Sequence, residues 1–94
     1  MKLQDKVAIV TGAGRGFGRS VALAFGREGA KVVLAARTKE AIDHVAKELR
    51  SLNKTALPVP VDVSDEDQVN RMVQETLETF DTIDILVNNA GIRG

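Results

Sequence analysis

The chain has 94 residues, 44% of them apolar, with 13 basic side chains matched by 13 acidic ones; that suits one small globular domain and argues against both disorder and a nucleic-acid partner, which would want a basic stripe. It has no cysteine and a single histidine, so disulfides, thiolate metal sites and a histidine cluster are excluded and no metal is expected. No apolar run approaches the ~20 residues of a membrane span, and the polar start Met1-Lys2-Leu3-Gln4-Asp5-Lys6 carries no secretory signal, so a cytoplasmic protein with no membrane partner is expected.

The first strand is the β-branched run of Val7, Ile9, Val10 and Thr11, suited to burial on both faces. Glycines follow at every second position, Gly12, Gly14, Gly16 and Gly18, and a helical pattern starts at Phe17. Strand, glycine turn and helix together describe a phosphate site: glycine permits positive φ and close approach, and the helix start offers unpaired N–H groups and the positive end of the macrodipole. The spacing is not G-x-G-x-x-G, since the last position counted from Gly12 is Phe17 and from Gly14 is Arg19; it is T-G-x-x-x-G-x-G, with Thr11, Gly12, Gly16 and Gly18. A phosphate P-loop is excluded because no Lys-Ser or Lys-Thr follows the glycines. The competing reading is a tight strand-to-helix turn without a ligand.

The first helix is predicted over Phe17 to Glu28, with Val21, Ala22, Phe25 and Gly29 on one side and Gly29 as the residue just past its end. Lys31 to Ala36 reads as the second strand. Thr38 is placed to cap a second helix over Lys39 to Leu52, whose buried stripe is Ile42, Val45, Ala46 and Leu49. Asp43 and Lys47 should pair on its wet side, where His44 is a solvated residue and not a catalytic one, and Asn53 fits its end. Ala56 to Val61 is a third strand, and its Pro58 and Pro60 assign it to a sheet edge. Ser64 is expected to cap a third helix, with Asp65, Glu66 and Asp67 in its first turn and a stripe of Val69, Met72, Val73, Leu77 and Phe80. Ile83 to Val87 forms a fourth strand, followed by Asn88-Asn89-Ala90-Gly91.

This βαβαβαβ alternation predicts an α/β fold, a three-layer Rossmann-like half-domain with a four-stranded parallel sheet in the order 3-2-1-4 and helices on both faces. The first two helices share one face and the third takes the other. The ligand position is the switch point between strands 1 and 4, above the glycine loop.

With the glycine loop, Asp62-Val63 and Asn88-Asn89-Ala90-Gly91 together, the chain resembles a short-chain dehydrogenase/reductase over essentially its whole length, and within that family the branch of 3-oxoacyl-(acyl-carrier-protein) reductases and sugar-alcohol or steroid dehydrogenases. The second motif follows the first by about 70 residues, a pairing far more specific than a lone glycine turn. The resemblance implies a dinucleotide cofactor: Thr11, Gly12, Gly14, Gly16, Phe17 and Gly18 around the pyrophosphate, Asp62 accepting from the adenine amino group with Val63 beside it, and Asn89, Ala90 and Gly91 toward the nicotinamide-side ribose. Asn88 and Asn89 serve equally well to tie strands together.

Charge decides which cofactor is expected. An acid closing strand 2 would hold the 2′-OH of NAD, but Arg37 stands there, Thr38 follows, and Arg15 sits in the loop. Two guanidinium groups suit a 2′-phosphate, so NADP(H) is expected over NAD(H). A methyltransferase-like module, which would also want an acid there, is disfavoured.

The resemblance also implies a Tyr-x-x-x-Lys pair and a serine beyond the fourth strand, and the chain has no tyrosine. It is therefore expected to be a single NADP-binding half-domain over 1–94, truncated before the catalytic and substrate region, with no catalytic residue of its own and no activity alone. A homo-oligomer is expected, through the edge of strand 4 or the uncovered sheet face. The alternative is a structural, self-assembling half-domain with little cofactor affinity.

Overall fold

In the computed structural model, which describes residues 2–89, the elements follow the predicted order: β1 (Val7–Thr11), α1 (Gly16–Arg27), β2 (Lys31–Ala36), α2 (Lys39–Ser51), β3 (Ala56–Pro60), α3 (Glu66–Phe80) and β4 (Ile85–Val87). All strand pairs are parallel and the order is β3-β2-β1-β4. β1 lies inside the sheet, with Ile9 level with Val33 on one side and Leu86 on the other.

Successive strand side chains point to opposite faces, and the sheet therefore has two cores. Val10, Val32 and Leu34 pack with Ala22, Leu23, Ile42, Val45, Ala46 and Leu49 under α1 and α2. Ile9, Val33, Ala35, Val59 and Val61 pack with Met72 of α3 on the other face. The expected division of helices between the faces is present.

Both expected helix ends are built as read. Gly29 takes φ +93°, and its N–H and that of Ala30 return to the carbonyls of Gly26 and Phe25. Asn53 (φ +60°) and Lys54 repeat the pattern onto Arg50 and Leu49. These are Schellman closures. The prolines also sit where chemistry permits. Val32 N–H reaches the Thr55 carbonyl and Val61 N–H reaches the Ala36 carbonyl, so odd-numbered residues of β3 face β2. Pro58 and Pro60 stand on the outward positions, where an N–H would have no strand partner.

Four local expectations are corrected. The cap of α3 is Asp65, not Ser64: its carboxylate accepts from the N–H groups of Asp67 and Gln68. Asp43 pairs with Lys39 instead of Lys47, at the same i,i+4 spacing from the other side. Leu77 is exposed, and Thr76 takes the buried place, its hydroxyl donating to the Met72 carbonyl at 2.8 Å; a threonine satisfied within its own helix can be buried. β4 begins at Ile85 because Asp84 takes over the preceding link to β1, its carboxylate accepting from Val7 N–H at 2.8 Å while its own N–H donates to the Val7 carbonyl.

Candidate functional site

The carboxyl ends of β1, β2 and β3 open onto one cleft of about 730 Å³. Gly12, Gly14 and Arg15 line it from the loop after β1, Arg37 and Thr38 from the end of β2, and Asp62 and Val63 from the end of β3. Arg15 and Arg37, the two arginines expected at one anion, both line this cleft.

The loop takes its form from backbone conformations that favour glycine. Gly12 and Gly16 have φ of +62° and +57°, where a Cβ is strained. A Cβ at Gly14 would stand 2.8 Å from that of Ala41, so the loop lies close on α2. At Gly18 a Cβ would overlap the carbonyl of Gly12, which allows α1 to start directly under the turn. The amino end of α1 has no side-chain cap and no acid in its first turn, whereas α3 has both. Its dipole is left for an external anion.

Thr11 and Asn89 contribute otherwise than by lining the cleft. The Thr11 hydroxyl is buried; it accepts from the N–H of Asn89 at 2.9 Å and lies 3.3 Å from both the Val87 carbonyl and Asn88 Oδ1. Asn89 Nδ2 donates to the Gly12 carbonyl at 3.4 Å. The asparagine pair therefore ties the end of β4 to β1 and the loop, one of its two expected roles. The Phe17 ring is exposed and lines no part of the cleft. Ala90 and Gly91 lie outside the described residues.

At the third rim, the Ser64 hydroxyl and N–H donate to Asp62 Oδ1 at 2.7 and 3.0 Å. These two bonds, with Arg37 nearby, hold the Asp62 carboxyl below its ordinary range. Ser64 lines the cleft, as do Ala36, Ala41 and Val61; none of the four was expected in the site, Ser64 being expected only as a helix cap. Ser64 was readable: Asp-x-Ser after a strand forms an Asx turn, with the acid holding the residue two places on.

A second, apolar groove of about 220 Å³ runs between α3 and the sheet, lined by Ile9, Thr11, Val63, Val69, Met72, Val73, Ile83, Leu86 and Asn88. No helix among the described residues is long and apolar enough to cross a membrane, and no cluster of potential metal ligands is found among them.

A family profile described as short chain dehydrogenase matches residues 6–94. The chain belongs to the short-chain dehydrogenase family. This short-chain dehydrogenase chain is 44% identical over 92 residues to a versicolorin reductase of Emericella nidulans, an alignment covering 97% of this chain and 35% of that protein. It is 39% identical over 92 residues to the 3-oxoacyl-[acyl-carrier-protein] reductase of Thermotoga maritima, covering 98% and 37%. Among solved structures, a short-chain type dehydrogenase/reductase from Mycobacterium marinum superposes with a TM-score of 0.93 at 42% identity, over 99% of this chain and 38% of that one. The chain thus spans little more than a third of the length of these short-chain dehydrogenase relatives. The family is one of oxidoreductases that bind nicotinamide dinucleotides, and the glycine turn, uncapped helix end and open cleft suit such a ligand.

Proposed function

We propose that the chain is the NADP(H)-binding portion of a cytoplasmic short-chain dehydrogenase/reductase. The observation that carries this reading is that Arg15 and Arg37 both line one cleft with the glycine turn. Arg15, Arg37 and Thr38 would hold the 2′-phosphate. Thr11, Gly12, Gly14, Gly16, Phe17 and Gly18 would form the pyrophosphate turn, mostly through backbone. Asp62 and Val63 would meet the adenine, and Asn89, Ala90 and Gly91 the nicotinamide side. The cofactor would supply the hydride that reduces a carbonyl to an alcohol and would take it up in the reverse direction. These 94 residues contain no tyrosine to play the proton donor of the family's Tyr-x-x-x-Lys pair, so the chain alone would bind cofactor without turning over a carbonyl.

A second reading is favoured by the apolar groove and by Leu86, 63% exposed on a border strand. In that reading the chain is a self-assembling half-domain with little cofactor affinity. Calorimetric titration of the chain with NADPH and NADH separates the two. The first reading expects NADPH to bind more tightly, and Arg37→Asp to weaken NADPH by about tenfold or more, the size of a lost charge-assisted contact, with NADH less affected. Equal loss of both would overturn the NADP(H) assignment. Binding of neither would favour the second reading.

A further inference from the structure

The third rim of the cleft is held by side chains outside the glycine and asparagine motifs. Asp62 N–H donates to Gln68 Oε1 at 2.9 Å. Gln68 Nε2 in turn donates to Asp65 Oδ2 at 3.2 Å, and Asp65 Oδ1 accepts from the N–H groups of Asp67 and Gln68 at 3.0 and 3.3 Å. The carboxylate of Asp62 is fixed separately, with Oδ1 accepting twice from Ser64. Among the described residues no hydrogen bond goes to Asp62 Oδ2. Backbone and side chain of this cleft-lining residue are both pinned to the first turn of α3 or the turn before it.

We propose that Gln68, assisted by Ser64, is a positioning residue for base recognition, clamping Asp62 so that its free carboxylate oxygen is a fixed acceptor for the exocyclic amino group of adenine. The inference rests on reading the cleft as a dinucleotide site. A carboxylate already held in place loses little conformational freedom when a ligand arrives. A fixed acceptor also discriminates: it takes a hydrogen from a 6-amino group and repels a 6-oxo group, which brings only lone pairs. Gln68 does this without touching the ligand. It holds the Asp62 N–H, and through Asp65 it couples that point to the cap of α3.

The test is the ratio of affinities for NADPH and its deaminated hypoxanthine analogue, measured by calorimetry on the 94-residue chain. The wild type is expected to prefer adenine by about tenfold, the size of one hydrogen bond to a charged group. Gln68→Leu, of similar volume with no bonds to give, should bring the ratio close to one, and Ser64→Ala should lower it partway, with Ser64→Thr restoring it. Gln74→Leu, the same exchange further along α3, should leave it unchanged. Thermal melts establish that each variant is folded, and should Gln68→Leu fail to fold, the serine pair decides. Wild-type binding of NADPH without preference for adenine overturns this inference alone, as does an unchanged ratio in Gln68→Leu or in Ser64→Ala. Failure of the wild type to bind any dinucleotide overturns the reading of the cleft, and this inference with it.

Discussion

Gly18 and Gly26 show how differently two glycines of one helix are constrained. A Cβ at Gly18 would meet the backbone of Gly12, whereas one at Gly26 would meet only the methyl end of Leu49. Backbone cannot step aside, and a leucine rotamer can. Gly18→Ala should therefore cost about 1–3 kcal/mol as an overpacked site, and Gly26→Ala should stay within about 1 kcal/mol because alanine's helix propensity offsets the crowding; urea denaturation of both variants measures the difference. Asp62 makes a prediction about acid. Its folded value is depressed below the ordinary 3.8, chiefly by the Ser64 hydroxyl, so its contribution to stability is full above that value and is lost as pH falls through the folded one. The stability gap between wild type and Ser64→Ala should shrink as pH drops below 3.8, read from denaturation midpoints at successive pH values. The arginines and glycines of the cleft were legible in the sequence because each is a departure from what a plain turn needs. Gln68 was not, since a glutamine on a helix has no signature until the chain it bonds to is folded beside it.

Among the elements, strands were read from β-branched runs and helices from apolar stripes, and all seven stand in the predicted order. The misses arise where two residues compete for one role. Ser64 and Asp65 are both good caps, and the serine is drawn away by Asp62. Asp43 has a lysine four residues on either side, and an exposed pair of this kind is worth too little for sequence to choose. The prolines of β3 carry more weight. With Pro58 and Pro60 on its outward positions, this border offers a second chain few donors. Replacing both with threonine should change stability by about 1 kcal/mol or less per site. The same double variant should associate beyond the wild type, visible as a steeper rise in scattering mass with concentration; a mass curve equal to that of the wild type would show that the prolines do not guard the border.

Taken whole, the molecule is better closed on one side than the other. Under α1 and α2 each helix buries four residues, while α3 buries only Met72 and Thr76 and leaves the apolar groove beside it. The open β4 border and the exposed Leu86 lie on that weaker side. Self-association through this region is expected from its exposed apolar surface. Sedimentation of the wild type should then show a mass that climbs with concentration, and Leu86→Glu should return it to a monomer. A wild type that stays monomeric at high concentration would remove this expectation. The contrast between the two borders has a further consequence. Two copies meeting β4 to β4 about a two-fold axis would present a proline-lined rim, poor in free donors, at each end of the joined sheet for a third strand to meet. Association by that route would terminate at a discrete particle, so pairing at one border with prolines on the other would keep the chain from growing into fibres.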